Sequence, residues 1–191
     1  MAPAWDGAYL GLQIGAVAGA FDDSYPFNPL AENDGDLAGS QIGVYGGWNV
    51  QMDTVVVGID GDLNYANVQG SETNPASETL DVNIGWSGSV RGRAGIAADN
   101  LLFYVAAGLA AAYGELEITD GLGLTITTAD DLLWGWTLGA GVEVAFDENW
   151  VGRLDYRYSD YGSLDYVVPG FGDGSVAVNS HALTLGIAYK F

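Results

Sequence analysis

WVGRLDYRYSDYGS, residues 150–163, holds two of the five basic residues in a chain of 191. Arg153, Asp155 and Arg157 alternate with Leu154, Tyr156 and Tyr158. In an extended strand this puts the charges on one face and the apolar groups on the other. The fold therefore turns on which of the two faces meets water.

The same alternation recurs in eight segments, at 7–20, 37–50, 55–66, 82–97, 101–114, 132–146, 150–158 and 176–191. Most are longer than the usual soluble strand and suit a tilted strand that crosses a bilayer. Their connections alternate in length. QMDT (51–54), ADN (98–100) and DEN (147–149) read as tight turns, whereas 21–36, 67–81, 115–131 and 159–175 read as long polar loops. Short turns at one end and long loops at the other, with both termini on the short-turn side, is the plan of an eight-stranded antiparallel up-and-down transmembrane β-barrel. The reading takes 1–191 as one such domain.

Composition narrows the alternatives. The 29 glycines disfavour a helical bundle. No charge-free stretch reaches the roughly 18 apolar residues of a membrane helix. The chain has no cysteine, which removes disulfide scaffolds, thiolate metal sites and cysteine nucleophiles together. With 25 acids against five bases, nucleic acid is not expected as a partner. The four long connections carry sixteen of those acids and no Lys or Arg, so one end of the molecule is acidic.

Parity sorts the remaining charges. In GWSGSVRGRAGIA (85–97), Arg91 and Arg93 side with Ser87, Ser89 and Gly95, against Trp86, Val90, Ala94 and Ile96. In GIDGDLNY (58–65), Asp60 and Asp62 oppose Ile59, Leu63 and Tyr65; in GWTLGAGVEVAF (135–146), Glu143 joins Gly139 and Gly141. The polar faces thus collect Asp60, Asp62, Glu143 and Asp155 with Arg91, Arg93, Arg153 and Arg157, four charges of each sign. A soluble barrel with an apolar interior also alternates. Its exterior would be rich in Lys and Glu, however, and this polar face is mostly Gly, Ala and Ser. An Arg on a lipid-facing wall costs about 2–4 kcal/mol near the bilayer midplane, so all four point inward if lipid surrounds the barrel. The eight charges are expected to form an ion-pair network in the lumen.

Aromatic placement agrees. Trp5, Trp48 and Trp150 fall toward the short-turn end, and Trp86, Trp134 and Trp136 toward the other, as two interfacial girdles would. Tyr156 and Tyr158 are assigned to the girdles as well.

AWDGAYLGLQIG (4–15), GIDGDLNY, SVRGRAGIAADNLLFYVAAGLA (89–110), LGAGVEVAFDENWVGRLDYRYSDYG (138–162) and HALTLGIAYKF (181–191) together resemble the small alphaproteobacterial outer-membrane family of immunogenic, porin-like surface proteins. The resemblance touches every expected strand. It implies export to the outer membrane of a Gram-negative cell after removal of a signal peptide that this chain does not contain, and a role in envelope integrity and surface exposure. It also implies that the ending, with Leu185, Ile187, Tyr189 and Phe191 in alternate positions, is the strand read by the barrel-assembly machinery.

Other candidates are weaker. His181, the single histidine, shares parity with Leu183 and Leu185 and is read as an interfacial polar residue rather than part of a catalytic triad. NDGD (33–36) places Asp34 and Asp36 around Gly35 loosely like part of a calcium loop, without the spacing or terminal Glu of an EF-hand. No cofactor and no enzymatic activity are expected. Expected partners are outer-membrane lipid and lipopolysaccharide, bridged to the acidic loops by divalent cations, and further copies in a homo-oligomer or surface array. The alternatives are a narrow porin for ions or small hydrophobic solutes, and an adhesion or self-assembly protein acting through its loops.

Overall fold

A computed structural model describes residues 5–24, 34–73, 79–119, 125–168 and 172–191, with side chains over 5–20, 38–68, 85–113, 132–163 and 177–191. Eight strands, β1 (Gly7–Ser24), β2 (Asp34–Met52), β3 (Val55–Thr73), β4 (Thr79–Ala98), β5 (Leu101–Thr119), β6 (Thr125–Ala145), β7 (Trp150–Val168) and β8 (Gly172–Lys190), pair in chain order. β8 closes on β1, giving a closed antiparallel barrel.

The register fixes the dimensions. A path of paired residues that starts at Leu10 and crosses Gly46, Gly61, Val90, Leu109, Trp136, Asp160 and Asn179 returns to β1 at Ala20, ten residues further along. With ordinary strand spacing and rise, that stagger tilts the strands by about 40° and sets a backbone radius of about 8 Å. Side chains fill a tube of that width.

Each strand obeys the alternation. Leu12, Ile14, Ile59, Leu63, Val90, Val105, Leu109, Leu138 and Leu185 project outward and are exposed, as a lipid-facing wall requires. Two aromatic belts bound this wall. The belt near the short turns holds Trp48, Trp150, Tyr189 and Phe191, with Trp150 and Tyr189 in edge contact at 5.4 Å. The other holds Tyr65, Trp86, Trp134, Trp136 and Tyr158, with Tyr65 against Trp86 and Trp136 against Tyr158. Tyr156 sits two positions below Tyr158, and its hydroxyl reaches His181 Nδ1 at 2.8 Å. His181 is therefore outward-facing and held among aromatic rings.

Trp5 departs from the expectation. It belongs to neither belt: it is only 2 % exposed, packed inside the short-turn mouth with Val56, Leu102, Ala145 and Val151. Its backbone N–H donates to Gln51 Oε1 at 2.7 Å, which folds the segment before β1 inward. Because it precedes the alternating run, parity could not assign it a face.

The long connections also differ from expectation. Most of 67–81, 115–131 and 159–175, and residues 21–24 and 34–36 of the first connection, are strand, so the ladder runs beyond the outer belt. The backbone ladder continues past the belt because every N–H and C=O still takes a partner there, and segments such as TLDVNI (79–84) and ELEIT (115–119) keep a period of two beneath their acids. Acids expected in loops, among them Asp22, Glu72, Glu115, Asp131 and Asp165, therefore lie on strands. Glu32, Glu78 and Asp120 lie outside the described residues.

The short turns are as tight as expected. Asp53 (φ 58°) and Asp99 (φ 53°) each open a two-residue turn in the left-handed region, which Asp tolerates better than most non-glycine residues. In the third turn, Asp147 Oδ1 accepts from the N–H groups of Asn149 and Trp150 at 2.8 and 2.7 Å. Those donors hold the Asp147 carboxyl below the ordinary carboxylate value. Its contribution to the turn is in place at neutral pH and fades as pH falls through that lowered value.

Val105 stands outward close to midway between the belts on β5, and Ser163 stands beyond the outer belt on β7. Val105→Arg should lower the free energy of folding into lipid vesicles by roughly 2–4 kcal/mol, measured by reversible urea titration. Ser163→Arg should leave it within about 0.5 kcal/mol of the parent.

Candidate functional site

The inward faces of β3, β4, β6 and β7 bring all eight expected charges together at one level of the lumen. Register makes the first contacts: Asp60 is directly opposite Arg91 on β3–β4, and Glu143 opposite Arg153 on β6–β7. Arg91 grips Asp60 with two hydrogen bonds, Nε to Oδ1 at 3.0 Å and Nη2 to Oδ2 at 3.1 Å. It also reaches across the lumen to Asp155 Oδ1 at 3.2 Å. Arg153 spans the other way, from Nη2 to Asp60 Oδ2 at 2.7 Å and to Asp155 Oδ2 at 3.2 Å. Arg93 Nη1 pairs with Glu143 Oε1 at 2.9 Å, and Arg157 Nη1 with Asp62 Oδ2 at 2.9 Å.

Burial makes this pairing a necessity. Arg91 is 1 % exposed, and Asp60, Arg93, Glu143, Arg153 and Asp155 are buried with it. An isolated charge taken from water into such an environment costs several kcal/mol even after relaxation, which only close, hydrogen-bonded partners offset. The octet is neutral, so the net charge of −20 resides entirely outside it.

Three tyrosines complete the site, and none was expected there. Tyr104 is its hub: its hydroxyl accepts from Arg153 Nε at 2.6 Å and donates to Asp155 Oδ2 at 2.6 Å. The Arg93 guanidinium lies 4.0 Å from the centre of the Tyr104 ring, and that of Arg153 lies 4.7 Å from the Tyr45 ring. Tyr9 accepts from Arg93 Nη1 at 2.9 Å. Glycines make room for these rings. A Cβ on Gly141 would collide with the Tyr104 hydroxyl, and one on Gly11 or Gly186 would come within 2.8 or 2.7 Å of the Tyr45 ring. The signal available in the sequence was parity: Tyr9, Tyr45 and Tyr104 fall in step with glycines or alanines, while Phe103 and Val105 take the other face.

Above the charged layer, Gln13 Nε2 donates to Asn64 Oδ1 at 2.7 Å, Asn64 and Ser89 both donate to Asp62, and Ser159 donates to Thr137. Among the described residues, small voids flank the layer. One of about 30 Å³ lies among Gln41, Ser87, Arg157, Ser159, Tyr161 and Ser180; one of about 10 Å³ lies among Tyr9, Tyr45, Asn49, Glu143 and Lys190. Each has room for one or two waters. The side chains of Asp34 and Asp36, the weak calcium candidates, lie outside the described residues; their backbones pair with Ala20 and Asp22 on β1.

A closed eight-stranded barrel with an apolar outer wall, two aromatic belts and a charged interior defines a protein of the bacterial outer membrane. The chain belongs to the outer membrane protein beta-barrel domain family, whose model matches residues 2–191. It is 32 % identical over 205 residues to the 31 kDa outer-membrane immunogenic protein of Brucella melitensis, covering 98 % of this chain and 84 % of that one. It is 35 % identical over 199 residues to the 22 kDa outer membrane protein of Rhizobium leguminosarum bv. viciae, covering 100 % and 80 %. Among solved structures it is similar in fold to OprG of Pseudomonas aeruginosa, with a TM-score of 0.66 at 12 % identity over 97 % of both chains.

Arg91→Leu strands Asp60 and Asp155 without a principal partner and should destabilise the folded barrel by about 3–5 kcal/mol. Adding Asp60→Leu should recover part of the loss, because it removes one of the uncompensated charges. Urea titration of both variants in lipid vesicles measures the coupling, and equal stability of Arg91→Leu and the parent would contradict it.

Proposed function

We propose that this protein is a non-enzymatic structural barrel of the outer membrane, with a lumen closed to solutes by its ion-pair layer and with acidic arms that form its outward surface. The observation that carries this reading is the crossing of the lumen by Arg91–Asp155, Arg153–Asp60 and Arg157–Asp62 contacts, each joining the β3–β4 wall to β7. Any solute passing through would have to part at least one of these pairs inside a low-dielectric tube. Voids of only a few tens of Å³ beside the layer fit ordered water rather than a conducting path. His181 engages Tyr156 on the lipid-facing side, which supports a non-catalytic role.

In this reading the apolar wall anchors the protein, the belts set its depth, and the charged layer stiffens the tube. The outward-facing alternation of Leu185, Ile187, Tyr189 and Phe191 supports recognition of β8 by the barrel-assembly machinery. The acidic arms, lacking Lys and Arg, would meet lipopolysaccharide phosphates through divalent cations. Relatives named as immunogenic outer-membrane proteins support exposure of the arms at the cell surface.

The test joins two measurements on one detergent-folded sample. Electrophoresis with and without boiling should give two mobilities, the mark of a folded barrel, and the same sample should give no single-channel conductance in a planar bilayer. Arg153→Ala, which removes a side chain crossing the layer, should produce measurable conductance in any fraction that still folds. Steady conductance from the parent protein would favour the narrow-porin alternative.

A further inference from the structure

The short-turn mouth gathers polar atoms that the barrel itself leaves unpaired. Trp5 fills this mouth, packed against Val56, Leu102, Ala145 and Val151. Tyr45 and Asn49 project into the lumen from β2 and are as deeply buried as Trp5. Among the described residues, Trp5 Nε1, Tyr45 Oη and Asn49 Oδ1 are buried atoms with no hydrogen-bond partner in the protein. A buried donor or acceptor left in that condition carries its full desolvation penalty, and three of them in one mouth would weigh heavily on a tube this narrow. All three residues line the same void, the one of about 10 Å³ beside Tyr9 and Glu143. That is about the space of one water, which needs about two to four polar partners to settle inside a protein.

The chemistry of the three atoms selects the occupant. An indole N–H can only donate, and an amide oxygen can only accept. Whatever sits between them must accept one hydrogen bond and donate another. A metal or ammonium cation cannot accept from Trp5 Nε1–H, and a halide cannot donate to Asn49 Oδ1. Either ion would also unbalance a neutral layer, in which Glu143 is already matched by Arg93 at 2.9 Å. An apolar occupant would satisfy none of the three atoms. Water accepts and donates at once, and it keeps a further valence for the Tyr45 hydroxyl, which takes either role.

We propose that the short-turn mouth contains an internal water site, in which one water accepts from Trp5 Nε1–H, donates to Asn49 Oδ1 and bonds to the Tyr45 hydroxyl. The site gives the inward turn of Trp5 a polar purpose beside its apolar packing. It ties the segment before β1 to β2, next to the direct bonds from the Trp5 N–H to Gln51 Oε1 and from the Gln51 N–H to Asp6 Oδ1. Through Tyr45, whose ring lies against the Arg153 guanidinium, the same water joins that segment to the edge of the charged layer. The site goes beyond the reading of the barrel as closed to solutes and does not depend on it.

The test is nuclear magnetic resonance on the full chain, labelled with ¹⁵N and folded in detergent. The Trp5 indole signal is the one lost in Trp5→Phe. In the parent its Hε1 should show a cross-peak at the water frequency, with opposite signs in laboratory-frame and rotating-frame Overhauser spectra. Opposite signs separate dipolar contact with a resident water from proton exchange. Tyr45→Phe removes the hydroxyl that could relay such a signal and leaves two partners in place, so the cross-peak should survive. Asn49→Leu replaces the acceptor with an apolar group of similar size, and the cross-peak should vanish while boiled and unboiled samples keep distinct mobilities. Absence of the cross-peak in the parent, its loss in Tyr45→Phe, or its persistence in folded Asn49→Leu would each overturn the site. The parent and Tyr45→Phe spectra decide the matter even if Asn49→Leu fails to fold.

Discussion

Four guanidinium groups inside a tube about 8 Å in radius impose the constraint on which the rest of the interior depends. Each must meet carboxylates without help from bulk water, and the carboxylates must come from across the lumen as well as from the adjacent strand. Cross-strand register supplies Arg91–Asp60 and Arg153–Glu143, and the tube's narrowness brings the β3–β4 wall within reach of β7. Small residues follow from this. The lumen has space for four arginines and three tyrosines only because Gly11, Gly141 and Gly186 yield theirs. The apolar exterior is the complementary requirement, since every charge placed inward must be matched by a hydrocarbon-compatible side chain outward on the next residue.

The fold was legible for one physical reason: alternation with a period of two survives wherever opposite sides of a strand meet opposite solvents. Parity gave Asp60, Asp62, Arg91, Arg93, Glu143, Arg153, Asp155 and Arg157 one face, and these residues lie on the inward side of β3, β4, β6 and β7, with Trp48, Trp86, Trp134, Trp136 and Trp150 on the exposed side. It was silent where that contrast is missing. Trp5 lies before the first strand, so no neighbour marked its direction, and it turned inward. In the arms TLDVNI (79–84) and ELEIT (115–119) keep the alternation, but their acids read as loop while their backbones remain paired. The inward tyrosines were obscured differently: an aromatic residue in a membrane barrel is first assumed to serve the interface, and only its step with glycine distinguishes Tyr104 from Phe103.

The interior and the arms obey different electrostatic rules. Within the layer each charge is fixed by geometry and balanced, so it contributes rigidity and little field. Outside it the charge is almost wholly negative and lies on strands continuous with the membrane wall. Those strands carry the backbone ladder of the barrel beyond its outer aromatic belt.

The asymmetry between the two ends also bears on how the protein reaches its final state. The short-turn end has three compact reversals, whereas the arm end carries sixteen acids, which in the proposed orientation cross the hydrocarbon layer during insertion. Once the ladder has closed and those carboxylates are hydrated on the far side, withdrawal would require dragging them back through an apolar medium while breaking the ladder that shields the backbone. In that orientation the height of the return barrier, as well as the depth of the folded well, sets how long the polypeptide persists in the membrane.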